Sequence, residues 1–170
     1  NRILDLTSNQ PISSMKKEII DVACGGKMFW FNKGDKRVLF TDIRKEEKGF
    51  IKLRQSYEVK PDVVMDFRDL KFPDKSFKMV VFDPPHLRKL GKNSWMAKKY
   101  GVLSDNWQDD LTKGFNECWR VLEDYGVLIF KWGERDVKIS EVLKLFKEKP
   151  LFGHTTSAGG HTKWITFMKL

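Results

Sequence analysis

Cysteine is scarce in this chain. Its 170 residues include two, Cys24 and Cys118. They lie far apart without metal-ligand spacing, which excludes a disulfide framework and points to a reducing, cytoplasmic setting. Histidine is nearly as sparse: His86, His154 and His161 make no metal triad, and no metal is expected. No apolar run approaches the ~20 residues of a membrane-spanning helix, so no membrane partner is expected. The opening residues, NRILDLTSNQ, do not read as a signal peptide. A full G-x-G-x-x-G fingerprint is also missing. Acidic residues are outnumbered: 23 Asp+Glu stand against 32 Lys+Arg, a net charge of +9. That surplus suits a polyanionic partner, although charge alone fits ordinary surface solubility equally well.

What is present reads as one globular domain, residues 1–170. The chain is 41% hydrophobic with six Trp and thirteen Phe, too apolar and aromatic for disorder. Asn9, Pro11, Ser13 and Ser14 make the opening segment a polar lead-in. Strand patterns and helix patterns then alternate. Ile19 to Gly26 reads as a strand entering a glycine turn, with a short helix through Met28, Phe29, Trp30 and Phe31. Val38 to Ile43, Val63 to Phe67, Phe77 to Phe82 and Val127 to Trp132 read as further strands. Residues 44–60 are mixed charge and read mostly as solvated surface. Asp105 to Leu122 is the clearest helix: Trp107, Leu111, Phe115, Cys118, Trp119 and Leu122 recur on one face. Ser140 to Lys147 is a second amphipathic helix. Phe152 to Ser157 and Trp164 to Met168 read as a closing antiparallel pair joined at Ala158-Gly159-Gly160. The pattern predicts an α/β fold: a mostly parallel sheet with helices on both faces and a reversed C-terminal strand.

Ligands of such sheets bind at the carboxyl ends of the strands. Four positions fall there: Gly25, Asp42, Asp66 and Asp83. Gly25 and Gly26 let the backbone bend and approach a ligand closely. Asp42 follows Gly25 by 17 residues, where an acid at the second strand end accepts from ribose hydroxyls. Asp66 and Phe67 are placed for the adenine end. Asp83-Pro84-Pro85-His86 closes an apolar strand with an acid and two rigid rings. The prolines force the chain out of the sheet and remove two donors. A carboxylate and a fixed carbonyl then face outward as two acceptors, which is what holding an –NH2 group requires. A plain strand-to-loop exit is the bland alternative. The stretch from Leu87 to Ser104 interleaves basic Arg88, Lys89, Lys92, Lys98 and Lys99 with aromatic Trp95 and Tyr100. Basic residues meet phosphates and aromatics stack on unpaired bases, so these seven are the candidate nucleic-acid contacts. Packing of Trp95 on the core is the competing reading.

At these motifs the chain resembles the class I S-adenosylmethionine-dependent methyltransferases, the amino-group type with a D-P-P-aromatic motif. The likeness runs from about Ile19 to Leu170, and includes ECWRVLEDYGVLIFKW at the fifth strand. It implies a Rossmann-like class I methyltransferase fold; the length leaves no room for a separate target-recognition domain, so the expectation is an enzyme that reads little sequence or relies on a second copy or a partner protein for recognition. It implies S-adenosyl-L-methionine as cofactor, held by Asp21, Ala23, Cys24, Gly25, Gly26, Asp42, Ile43, Asp66, Phe67 and Asp83. It assigns catalysis to Asp83, Pro84, Pro85 and His86. The implied acceptor is N6 of adenine in nucleic acid, DNA only slightly ahead of RNA. Alternatives are an RNA base, cytosine N4, guanine N2 or a protein amide, or a catalytically silent binding protein of the same fold. Two departures stand out: His86 replaces the usual Tyr, Phe or Trp, and Lys27 interrupts the glycine spacing.

Overall fold

The computed structural model describes residues 17–91, 94–156 and 159–170. The lead-in residues Asn9, Pro11, Ser13 and Ser14 lie outside them, as do Lys92, Ser157 and Ala158. The described strands are β1 (Ile19–Asp21), β2 (Val38–Asp42), β3 (Val63–Val64), β4 (Phe77–Phe82), β5 (Leu122–Gly133), β6 (Phe152–Thr156) and β7 (Thr162–Met168). They form one sheet in the order β3-β2-β1-β4-β5-β7-β6. The first five pair in parallel, and β7 runs antiparallel to both β5 and β6. The sheet is therefore mostly parallel with a reversed C-terminal strand.

Among the described residues the helices fall partly elsewhere than the pattern predicts. Within the stretch read as irregular, Trp95–Tyr100 is a short helix, α1, whose N-cap Ser94 accepts from the Met96 N–H. The clear helix is α2, Trp107–Val121. The expected helix over 140–147 is α3, Ile139–Val142, tightening into a 3₁₀ turn at Leu143–Leu145. Residues 28–31 form turns instead of a helix. Tertiary contacts override the local pattern there: the Trp30 indole N–H donates to buried Asp21 at 2.7 Å, and the ring lies edge-on to Phe40 at 5.3 Å. The third strand is two residues long rather than five. The fifth strand starts earlier than Val127, at Leu122, and residues 123–126 are a bulge inside β5: Phe77 pairs with Leu122 and Met79 with Val127, with Tyr125 at φ 63.

Strand alternation sorts the side chains onto two faces. Ile20, Leu39, Val80, Phe82, Leu128, Phe130 and Trp132 join Leu111, Phe115, Cys118 and Val121 of α2 in the larger core cluster. Cys24, Val38 and Phe40 form a smaller one under Trp30. Where a loop replaces a crossover helix, its backbone groups still need partners. Arg120 and Glu117 of α2 supply them for the loop before β4. Arg120 donates to the Leu70 and Phe72 carbonyls at 2.9 and 2.8 Å, and Glu117 accepts the Leu70 N–H at 2.8 Å.

β1 lies between β2 and β4, so the chain leaves it in one direction and returns on its other side. That is a topological switch point, where a crevice opens at the carboxyl ends. Register sets what faces it. Asp21 pairs with Phe40 on one side and Val81 on the other, which brings Asp42 and Asp83 to the same edge two residues further on.

Candidate functional site

A cleft at this edge is lined by Ala23, Cys24, Gly25 and Gly26 of the turn after β1, by Asp42, Ile43 and Arg44 at the end of β2, and by Phe67. Asp83, Pro84, Pro85 and His86 form its next wall, and Lys131 at the end of β5 closes that side. Met28, Phe29, Tyr57, Lys99 and Tyr100 complete it. The glycine turn, the β2 acid and the D-P-P tetrapeptide thus share one cavity.

The turn is shaped for close approach. Gly26 packs under the Tyr57 ring, and a Cβ there would sit 2.4 Å from its Cε2. The Gly25 N–H donates to Asp42 Oδ2 at 2.9 Å. Asp42 is buried, and its Oδ1 accepts from the Arg44 backbone N–H at 2.9 Å and the Arg44 Nε at 3.1 Å. Oδ2 takes a second, longer donation from Arg44 Nη2 at 3.5 Å, so a hydroxyl entering the cleft competes only with that weak contact, and the exposed side chain of Ile43 beside it offers apolar surface. A vicinal diol on an apolar ring system fits this end.

Arg44 does a second job. Its Nη1 donates to the Lys98 carbonyl at 3.0 Å, and the Tyr57 hydroxyl donates to the Lys99 carbonyl at 3.0 Å. A helix leaves its last carbonyls unpaired; here the cleft's own residues take them up. That clasp sets Lys99 and Tyr100 in the cleft wall.

The residues expected to bind are not all in the cleft. Asp21 lies beneath the turn, fully buried, with Oδ2 bound to Trp30 and Oδ1 to the Ala23 N–H at 3.3 Å. Asp66 is bound by the Arg68 guanidinium at 2.6 Å, while Phe67 next to it reaches the cleft. Arg88, Lys89 and Lys98 are exposed. Trp95 is half-buried beneath the Arg54 guanidinium, 5.2 Å from the ring centroid. Among the described residues no His, Cys, Asp or Glu cluster could hold a metal ion, and no helix is long and apolar enough to cross a membrane.

His86 is held by packing. Its ring lies 6.1 Å from both Tyr100 and Trp132. A Cβ on Gly133 would come within 2.6 Å of it, so a glycine is required opposite. Burial lowers its pKa below the ordinary histidine value, which keeps the ring neutral near pH 7. The Cys24 thiol is pushed up by burial and stays protonated.

Desolvation raises the Asp21 carboxyl to about 7, with the Asp83 and Asp42 charges adding to it. A carboxyl raised in the folded state binds its proton more tightly there. Its stabilising contribution is full below the unfolded value near 3.8 and is lost as pH rises through about 7. We expect the protein to lose roughly 1–1.5 kcal/mol of stability from this group between pH 6 and 8. Asp21→Asn keeps an acceptor for Trp30 and removes the titration. Urea melts at both pH values test this: the variant's pH dependence is flatter by that amount, and an unchanged difference overturns it.

Sequence reasoning missed Arg44, Tyr57, Phe29 and Lys131. Only Lys131 carried a signal, a lone charge inside the apolar run VLIFKW.

No protein-family model matches this sequence, and no curated protein matches it. Solved structures do. A SAM-dependent methyltransferase from Methanosarcina mazei aligns over 98% of this chain and 99% of its own, at 16% identity and TM-score 0.54. The chain has the class I methyltransferase fold. A TehB-like SAM-dependent methyltransferase from Corynebacterium glutamicum aligns over 96% of this chain and 90% of its own, at 16% identity and TM-score 0.53. The Burkholderia thailandensis 1,6-didemethyltoxoflavin-N1-methyltransferase, solved with bound 1,6-didemethyltoxoflavin and S-adenosylhomocysteine, aligns over 90% of this chain and 71% of its own, at 14% identity and TM-score 0.52. On this fold, the cleft described above occupies the carboxyl edge of the sheet.

Proposed function

We propose that this chain is an S-adenosyl-L-methionine-dependent N-methyltransferase acting on the N6 amino group of adenine in nucleic acid, with DNA ahead of RNA. The observation that carries the reading is the cleft itself: Asp83-Pro84-Pro85-His86 lies in one cavity with the Gly25-Gly26 turn and Asp42. The cofactor, when bound, supplies a sulfonium methyl group. Asp42 accepts a ribose hydroxyl, the Gly25-Gly26 turn lines the same end, and Phe67 and Ile43 flank the adenine.

The Asp83 carboxylate and the Pro84 carbonyl accept the two hydrogens of the substrate amine. This turns the nitrogen lone pair out of the ring and toward the methyl group, and alignment of that kind lowers the barrier. The nitrogen gains the methyl group and loses one proton to Asp83 and water, with S-adenosylhomocysteine as by-product. His86, neutral and packed between Tyr100 and Trp132, offers its ring face to the base. The base must be unpaired or flipped to enter. Arg88, Lys89, Lys98 and Lys99, with Lys92, meet the flanking phosphates, and Trp95 and Tyr100 are the candidate stacking surfaces. Target choice falls to a second copy or a partner protein.

The test is methyl transfer from labelled cofactor to single-stranded DNA, duplex DNA and RNA, followed by digestion to nucleosides and mass identification. N6-methyladenine supports the reading, and the preferred polymer is named by comparison. Cofactor binding with no product on any polymer overturns it.

A further inference from the structure

Lys131 stands where a lysine is costly. Its neighbours Phe130 and Trp132 are fully buried on the helix-packed face of β5. Alternation turns Lys131 to the other face. Phe82 pairs with Phe130, so the next step of the register sets Asp83 beside Lys131. The Lys131 Nζ donates to Asp83 Oδ2 at 2.6 Å, with the two side chains 21% and 19% exposed. The ammonium also lies 5.7 Å from the Phe29 ring centroid and 5.8 Å from that of Trp164. A carboxylate and two aromatic rings are the components of a cation-binding box, and the chain fills this box with its own side chain. A methionine would pack there without desolvating a charge.

We propose that Lys131 determines the class of acceptor: by occupying Asp83 Oδ2 and neutralising its charge, it admits a neutral, planar amino group and shuts out alkylammonium groups. The inference rests on the reading of Asp83 as the amine-holding residue. With Oδ2 taken, Oδ1 and the Pro84 carbonyl remain, two acceptors for the two hydrogens of an aromatic amine. An alkylammonium entering the same place meets a carboxylate already neutralised and a like charge a few ångströms away. At such separations repulsion near a protein surface costs roughly 10- to 100-fold in affinity.

The test uses the protein saturated with S-adenosylhomocysteine and two probes measured by calorimetry or NMR titration. One is n-butylammonium. The other is a single-stranded oligonucleotide with one adenine, against the same strand with an abasic site. Lys131→Met is expected to bind butylammonium at least ~10-fold more tightly than the wild type and to lose preference for adenine over the abasic site. Lys131→Arg, which keeps the charge, retains the weak butylammonium binding of the wild type. Lys131→Gln gives the same comparison should the methionine variant not fold. Butylammonium affinity unchanged within about twofold in the neutral variants overturns the proposal. A wild type that does not distinguish adenine from the abasic site overturns the adenine reading instead, and the butylammonium comparison still decides the role of Lys131.

Discussion

Asp83→Ala lowers methyl transfer by about 10³-fold while S-adenosylhomocysteine binds within about threefold of wild type. The magnitude follows from what the carboxylate does. One preorganised group aimed at the reacting centre is worth on the order of 10²–10³ in rate, and here it also sets the lone-pair direction. Cofactor binding survives because Asp42 and the Gly25-Gly26 turn are held by their own bonds: Gly25 to Asp42 at 2.9 Å and Arg44 to Asp42 at 2.9 Å. The substitution leaves Lys131 without its partner, but that side chain is 21% exposed and reaches water. Asp83→Asn keeps one acceptor oxygen and falls less, by about 10²-fold. Single-turnover rates with labelled cofactor, beside calorimetric cofactor affinity, separate the two effects. Full activity in the alanine variant would sink the mechanism.

Asp42→Ala weakens S-adenosylhomocysteine binding by about 10²-fold. A hydroxyl bound to a buried carboxylate makes a charge-assisted hydrogen bond of roughly 1.5–3 kcal/mol, and the protein partners freed by the substitution add to the loss. The partners are Gly25 and Arg44. Losing the Gly25 contact loosens the turn, and losing the Arg44 contact frees the guanidinium that holds the Lys98 carbonyl at 3.0 Å. Asp42→Asn retains an acceptor for the Gly25 N–H and has an intermediate affinity. Calorimetric titration of all three proteins measures this. A dissociation constant within threefold of wild type for the alanine variant shows that the ribose does not bind at Asp42.

Much of this cleft is legible in the sequence. Apolar runs that end in Gly25, Asp42 and Asp83 place those residues at one edge of a parallel sheet, because every parallel strand ends on the same side. The prolines after Asp83 force an exit at that point whatever the surroundings. The face of α2 was legible as well, since Leu111, Phe115 and Cys118 recur at the helical period and are buried. These are local properties, carried by steric limits and by which residues avoid water.

The remainder depends on contacts between distant positions. The sequence alone ties Asp42 to a strand end, but Tyr57 and Arg44 come from a stretch without period, and only the folded chain brings them onto the Lys98 and Lys99 carbonyls. Residues 28–31 read as a short helix, and that reading loses to one buried hydrogen bond from Trp30 to Asp21 and one ring contact of Trp30 with Phe40. Asp21 looks like a ligand-binding acid in the sequence and is a buried support in the fold, because Trp30 covers it. Asp83 and Lys131 are 48 residues apart, and their pairing follows from the parallel register of β4 and β5. Local sequence specified the strands and their acidic ends. Register and packing decided which charge stands beside which, and so the chemistry of the cleft, because electrostatic interaction depends on distances that only the tertiary structure sets.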